Sequence, residues 1–264
     1  LLPFVYDMTA DDIAVVELSS FQLQSMKDTA DIAVITNVTP NHLNWHTDMQ
    51  EYIDAKANLI AHQKAGDRAV LNADNEITAA FVGNGITRTF SRLGRGNVCL
   101  ENGMICRDGK KVLAAEDILL PGVHNIENYM AAIAAVEGLV ADEKVVHVAK
   151  TFGGVEHRIE LVRVKDGVKF YNDSIASSPS RTIAGLNSFS EKVLLIAGGY
   201  DKHIPYDVLG PVICKHVKKL YLNGATAAAI RTAVENAPEY TTGCPEIVDC
   251  GDFTAAVHRA AADA

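Results

Sequence analysis

Short apolar runs that stop abruptly at polar residues alternate along this chain with longer segments of helical periodicity. Mostly apolar runs end near Glu17 and Asn37, a third covers residues 68–71, and a segment of helical pattern lies at 49–62. Runs of this length bounded by polar residues are typical of strands buried in a parallel sheet. Their alternation with helical segments predicts an α/β fold.

The pattern changes to shorter strand-like runs over residues 87–113. Asn102-Gly103 and Asp108-Gly109 separate these runs, and such dipeptides favour the positive φ angles of tight hairpin turns. We therefore expect a small antiparallel appendage on the parallel sheet. An alanine-rich helix is predicted after it, over residues 126–140.

A second series of strands and helices follows the Phe152-Gly153-Gly154 junction. The predicted helices start near Ser178, Tyr206, Ala225 and Asp252, and the predicted strands lie at 168–171, 193–197, 219–222 and 246–248. The chain is thus expected to form two α/β domains, 1–154 and 155–264. Each domain is expected to contain a mostly parallel sheet.

Composition narrows the possible partners and the compartment. A net charge of −9 argues against a nucleic-acid surface, which is normally basic, but not against nucleotides. The cysteines number five and form no C-x-x-C pair, so neither a disulfide framework nor a zinc site is indicated. No apolar run reaches the roughly 20 residues of a membrane span. We expect a cytoplasmic monomer without a membrane span or a bound nucleic acid.

Three residues of different chemistry follow the first predicted strands. Glu17 ends the first run, His42 follows the second, and Lys56 lies on the predicted helix after it. Ligands of open α/β sheets bind outside the carboxyl ends of the strands, so these groups point to metal and phosphate chemistry. Spacing alone leaves plainer interpretations open. Glu17 could be a helix-capping or solvated carboxylate, His42 an ordinary loop histidine, and Lys56 a solvated helix lysine beside Asp54.

Six ordered segments resemble the Mur ligase family of peptidoglycan synthesis, and the resemblance covers essentially the whole chain. They are residues 17–23, 37–42, 56, 124–128, 156–158 and 172–174. The sequence Glu-Leu-Ser-Ser-Phe-Gln-Leu at 17–23 points to the members that add D-glutamate. A sibling ligase and a folylpolyglutamate synthetase-like ligase are the enzyme alternatives. A non-catalytic nucleotide-binding module is the alternative of a different class.

The resemblance implies an ATP-dependent ligase that joins D-glutamate to UDP-N-acetylmuramoyl-L-alanine through an acyl phosphate. In this scheme residues 1–154 are the central ATPase domain, with a mononucleotide-binding sheet that is incomplete at its start. Residues 155–264 are the Rossmann-like C-terminal ligase domain, which is incomplete at its end. Glu17, His42 and a carbamylated Lys56 are implied to hold Mg²⁺. Carbamylation needs a lysine of lowered pKa, which burial can supply.

The nucleotide contacts are implied in the same way. Asn125 and Asn128 match asparagines that contact adenine, Asp173 matches an aspartate on the ribose, and Arg158 matches an arginine that reaches the γ-phosphate. The plainer interpretations are a helix N-cap for Asn125, a solvated helix face for Asn128, and an interdomain salt bridge for the charged pair.

The substrate contacts implied by the resemblance fall at both ends of the chain. Ser19 and Gln22 match residues that touch the muramoyl-alanine part of the substrate. Ser177 and Lys202 match residues on the D-glutamate side, and an exposed turn lysine is the plainer interpretation of Lys202. We expect domain closure to bring Arg158 and Lys202 onto the nucleotide and the acyl phosphate.

Two departures from the family pattern stand out. Ile175 occupies a position where many members have a lysine. Either a cation near the phosphates and D-glutamate is missing, or Lys202 or His203 supplies it. The sequence also lacks the G-x-x-x-x-G-K-[ST] phosphate loop. We expect a fragment of a longer protein that is inactive by itself, because the family's phosphate loop and UDP-binding domain would precede it.

Overall fold

A computed structural model describes residues 2–39, 46–201, 204–241 and 243–264. The chain divides into two compact units, and each contains two separate stretches of sequence. The first unit is residues 1–113 with 127–141, and the second is residues 114–126 with 142–264.

The first unit is built on a six-stranded sheet with the order β1-β2-β3-β4-β5-β6. After a short 3-10 helix at Leu2–Asp7, its elements are α1 (Ser20–Gln24), β1 (Ile32–Ile35), α2 (Met49–Ala61), β2 (Arg68–Asn72), α3 (Glu76–Ala79), β3 (Ile86–Ser91), β4 (Val98–Glu101), β5 (Met104–Arg107) and β6 (Lys110–Ala114). Strands β1 to β4 are parallel, and β5 runs antiparallel to β4. The prediction of a mostly parallel sheet with an antiparallel part is confirmed.

Two tight turns build the antiparallel part of the sheet. Asn102 and Gly103 have φ angles of 48° and 77°, and Asp108 and Gly109 have φ angles of 47° and 79°. Asn, Asp and Gly accept the left-handed region more readily than other residues. The two hairpin turns therefore lie where the dipeptides predict them.

Residues 13–18 differ from the prediction, because residues 12–19 have no regular secondary structure. Among the described residues, β1 pairs only with β2, and no strand lies beside residues 13–18 to complete their backbone hydrogen bonds. A strand is stable only when a neighbour pairs with it. Ile13 and Val15 consequently remain 68% and 92% exposed.

Helix α4 (Val123–Ala135) begins three residues earlier than predicted and ends five residues earlier. Arg68 on β2 donates hydrogen bonds to the carbonyl oxygens of Ala134, Ala135 and Glu137 at 3.3, 2.9 and 2.9 Å. Gly138 then has a φ of 79°. The guanidinium group thus satisfies carbonyls at the carboxyl end of the helix, which the alanine-rich pattern alone cannot indicate.

The second unit contains a three-stranded parallel sheet with the order β11-β10-β9 and a separate antiparallel hairpin. Its elements after α4 are α5 (Asp142–Thr151), β7 (Glu160–Lys165), β8 (Val168–Asn172), α6 (Pro179–Leu186), β9 (Val193–Gly198), α7 (Leu209–His216), β10 (Val217–Asn223), α8 (Ala227–Glu235), β11 (Glu246–Asp249) and α9 (Phe253–Ala262). The three predicted parallel strands of this sheet are confirmed.

Strand β8 differs from the prediction in its partner. It pairs antiparallel with β7 instead of joining the parallel sheet. Asp166 and Gly167, with φ angles of 52° and 83°, form the turn between the two strands. The Asp-Gly dipeptide is the hairpin signal that the sequence interpretation passed over.

No helix within the described ranges combines the length and the apolar character needed to cross a membrane.

Candidate functional site

The segment with the sequence Glu-Leu-Ser-Ser-Phe-Gln-Leu leads into helix α1, and two of its residues form a capping box. The Ser19 hydroxyl accepts a hydrogen bond from the Gln22 backbone N–H at 3.4 Å. The Gln22 side-chain oxygen accepts from the Ser19 backbone N–H at 2.8 Å. Ser19 and Gln22, the two residues predicted to touch the muramoyl-alanine part of the substrate, therefore also stabilise the start of the helix.

Lys56 lies on α2 and interacts electrostatically with Glu17. Burial lowers the pKa of the Lys56 amine from its ordinary value, and the Glu17 carboxylate opposes that shift. The Lys56 ammonium position is 5.8 Å from the centre of the Tyr52 ring. Burial of an amine favours its neutral form, which is the form that carbamylation requires.

The predicted third member of the metal set, His42, lies outside the described residues. Within the ranges that the structure describes, no group of three or more His, Cys, Asp or Glu residues is arranged to hold a metal ion. Glu17 supplies a hard carboxylate oxygen, and a carbamate on Lys56 would supply another, so these two residues fit the ligand preference of Mg²⁺. The three-residue metal set stays a prediction.

His46 is a buried residue of this region that the sequence interpretation did not single out. It is 3% exposed, and its Nε2 atom is 2.9 Å from the Ser20 hydroxyl oxygen. The ring stacks on Phe21 at a centroid distance of 5.9 Å and lies 5.3 Å from the Tyr52 ring. His46 thereby joins helix α1 to helix α2, which carries Lys56. The sequence pattern gives no signal for this contact, because the burial of Ser20 and His46 arises only in the folded chain.

The two predicted adenine contacts lie on helix α4. The Asn125 side-chain amide donates a hydrogen bond to the Pro121 carbonyl oxygen at 2.7 Å. The helix starts at Val123, so Asn125 lies inside it and the N-cap interpretation is wrong. Asn128 lies one turn later and is exposed.

Arg158 and Asp173 lie close together in the second unit. Arg158 is exposed on the turn that precedes β7, and Asp173 directly follows β8. The Asp173 carboxylate accepts a hydrogen bond from the Ile159 backbone N–H at 3.1 Å. Burial raises the pKa of Asp173, while that hydrogen bond and the Arg158 charge act in the opposite direction.

The turn and the end of β8 are held together by further bonds. The Asn172 side-chain nitrogen lies 2.8 Å from His157 Nδ1, and the Ile175 backbone N–H donates to the His157 carbonyl oxygen at 3.2 Å. The predicted pair of Arg158 and Asp173 is thus built on one connected segment of the second unit.

The residues predicted on the D-glutamate side are described only in part. Ser177 is exposed, and its backbone N–H donates to the Ile175 carbonyl oxygen at 2.8 Å. Lys202 and the alternative cation His203 lie outside the described residues. Residues 199–201, which precede them, follow the carboxyl end of β9 at Gly198. A Cβ added at Gly198 would lie 1.6 Å from the Asn223 carbonyl oxygen, so the chain needs a glycine at this position.

The Mur ligase middle domain is the family model that matches this chain, over residues 3–136. The UDP-N-acetylmuramoylalanine–D-glutamate ligase of Acetivibrio thermocellus is 53% identical over 247 residues, which cover 90% of this chain and 53% of that protein. The ligase of the same name from Ruminiclostridium cellulolyticum is 48% identical over 274 residues, covering 100% of this chain and 59% of that protein. The chain therefore spans only about half the length of these curated relatives.

Solved structures of lower identity share the fold. The UDP-N-acetylmuramate–alanine ligase MurC of Thermotoga maritima matches with a TM-score of 0.62 at 19% identity, covering 84% of this chain and 51% of that one. A Mycobacterium tuberculosis folylpolyglutamate synthase matches with a TM-score of 0.61 at 14% identity, covering 90% and 58%. At these identities the similarity concerns the architecture alone.

Proposed function

The chain belongs to the Mur ligase family, and from this premise we propose that it is part of an ATP-dependent, cytoplasmic, monomeric D-glutamate ligase. The complete protein would join D-glutamate to UDP-N-acetylmuramoyl-L-alanine. The observation that carries the choice of amino acid is the high identity to two relatives that bear this name. The match covers both stretches in which substrate contacts are predicted.

The proposed reaction runs through an acyl phosphate. The γ-phosphoryl group of ATP is transferred to the alanyl carboxylate, the amine of D-glutamate attacks the acyl carbon, and inorganic phosphate leaves. Phosphoryl transfer of this kind depends on positioning the reactants and on neutralising negative charge. When bound, Mg²⁺ would supply part of that neutralisation.

Glu17, His42 and Lys56 are the residues proposed to hold the metal. The neutral amine of Lys56 would join the carbon of CO₂ and release a proton, which converts a cation into an anionic oxygen ligand. The lowered pKa of Lys56 supports this step, because a larger fraction of the amine is neutral at a given pH. The Glu17 carboxylate would supply a further oxygen ligand for Mg²⁺.

The nucleotide would be bound by residues from α4 and from the second unit. Asn125 and Asn128 are proposed to contact adenine, since an amide group both donates and accepts hydrogen bonds. Asp173 would accept from the ribose hydroxyls. Arg158 would reach the γ-phosphate, for which a planar cationic fork is well suited.

The two substrates would be contacted by residues from separate parts of the chain. Ser19 and Gln22 are proposed to contact the muramoyl-alanine part, with the capping box fixing their backbone. Ser177 and Lys202 are proposed on the D-glutamate side. With Ile175 exposed where many family members have a lysine, Lys202 or His203 would supply the cation for the glutamate carboxylate.

The test is ATP-dependent phosphate release by the complete reading frame, supplied with UDP-N-acetylmuramoyl-L-alanine and a panel of amino acids. Release that requires D-glutamate is the expected result. Release with another amino acid or with a folate substrate would move the protein to a sibling activity. Folded protein that binds ATP and releases no phosphate with any substrate would contradict the ligase proposal and favour a nucleotide-binding module.

A further inference from the structure

Gly185 is a buried glycine inside helix α6, one residue before the helix ends. Its φ lies outside the left-handed region, so the backbone conformation does not require a glycine. Glycine is the least favourable residue in a helix interior apart from proline. Its presence at this position therefore points to a requirement for space.

The space next to Gly185 is filled by the carboxylate of Asp173. A Cβ added at Gly185 would lie 2.7 Å from Asp173 Oδ2, a separation at which either the helix or the carboxylate must move. The other oxygen, Oδ1, accepts the hydrogen bond from the Ile159 backbone N–H at 3.1 Å. The carboxylate is thus held between helix α6 and the turn before β7.

The turn that Asp173 holds has a strained backbone. His157 and Ile159 have φ angles of 66° and 45°, and a positive φ is rare for a β-branched residue such as isoleucine. Strained conformations persist only where the surroundings fix them. Arg158 lies between these two residues, so the hydrogen bond from Ile159 to Asp173 fixes the backbone that presents Arg158.

We propose that Gly185 is a positioning residue for the nucleotide site: its lack of a side chain admits the Asp173 carboxylate, which in turn sets the turn carrying Arg158. This inference rests on the proposed function for the roles of Asp173 and Arg158. Gly185 itself touches neither substrate nor nucleotide and acts through Asp173.

The kinetic test uses the complete reading frame with Gly185→Ala. Displacing the carboxylate removes a hydrogen bond to a charged group, so KM for ATP is expected to rise roughly tenfold. KM for D-glutamate should stay unchanged. Gly251→Ala is the matched control, because a Cβ there meets nothing within 4 Å and its φ is not left-handed. An unchanged KM for ATP in Gly185→Ala would overturn the inference.

The second test combines Gly185→Ala with Asp173→Ala. Without the carboxylate the added methyl group has room, so Gly185→Ala should lower the thermal unfolding midpoint in the wild type but not in the Asp173→Ala background. Equal losses in both backgrounds would overturn the inference. This coupling is measured without turnover, so it remains decisive if the ligase activity is not found. If Gly185→Ala fails to fold, folding of the double variant supports the steric relation, and its failure overturns it.

Discussion

At the scale of single residues, burial is the property of Lys56 that spacing could not indicate. The sequence places Glu17, His42 and Lys56 in order, but a solvated lysine on a helix fits the same spacing. In the structure Lys56 is partly buried on α2, and its pKa is lowered in spite of the nearby Glu17. Burial is a property of the packed chain, so the sequence alone could not indicate it, and the carbamylation of Lys56 stays a prediction.

Substitution of Lys56 tests that chemistry directly. In the complete protein, Lys56→Ala is expected to lose most of the ligase activity, because the anionic oxygen proposed to support the metal is gone. Small carboxylates such as acetate should restore part of the activity, which is measured as phosphate release. Lys64→Ala, at an exposed position outside α2, is the control and should behave as wild type. Full activity of Lys56→Ala without added carboxylate would contradict the carbamate.

The cysteines are expected to differ in reactivity because they differ in burial. Burial raises the pKa of Cys99 to about 11 and also raises the pKa of Cys106, whereas Cys244 is exposed. Because the thiolate is the reactive form, the folded protein should show one fast-reacting thiol with a disulfide reagent. Cys244→Ser should remove that fast phase, while a fast phase that persists in this variant would contradict the assignment.

At the scale of elements, the sequence predicts those whose stabilising contacts are local. Helix α2 begins at Met49 as predicted, because Asp48 caps it and accepts from the Glu51 backbone N–H at 2.8 Å. Elements that depend on distant partners are predicted less well. Residues 13–18 find no strand beside them among the described residues, and the end of α4 depends on Arg68 from β2.

The contact between Arg68 and α4 gives a prediction about stability. Arg68→Met keeps much of the side-chain volume but removes the three hydrogen bonds to the end of the helix. Each hydrogen bond from a charged group contributes about 1.5–3 kcal/mol. The three bonds share one guanidinium nitrogen, so the free energy of unfolding should fall by at least about 2 kcal/mol. Urea denaturation measures the loss, with the exposed Arg95→Met as the control. Equal stabilities of the two variants would show that Arg68 does not hold the helix end.

At the scale of the whole molecule, each compact unit contains two separate stretches of sequence, whereas each predicted domain is one continuous stretch. The predicted domains, residues 1–154 and 155–264, are contiguous, and their boundary stays a prediction. The compact units interleave, because residues 114–126 pack with residues 142–264. The Leu119 backbone N–H donates to the Ala149 carbonyl oxygen at 2.9 Å, and Lys150 pairs with Asp117 at 3.2 Å. The pattern of hydrophobic and polar residues does not predict that residues 114–126 pack with residues 142–264.

Interleaving predicts how the protein behaves after a single cut. With a protease site placed at the exposed Leu139, between α4 and α5, cleavage should leave both pieces together. The N-terminal piece retains residues 114–126, which belong to the second unit. Size-exclusion chromatography of the cut protein should show one peak without denaturant and two peaks with it. Two peaks under native conditions would contradict the interleaved arrangement.

The same connectivity limits how the gene can recombine. The chain passes from one unit to the other between residues 113 and 114, between 126 and 127, and between 141 and 142. A single crossover with a homologous gene inside residues 114–141 therefore gives a hybrid in which both units contain segments from both parents. Such hybrids should survive only when the parental segments still fit each other. Residues 114–141 are therefore expected to be inherited together with the segments on either side of them.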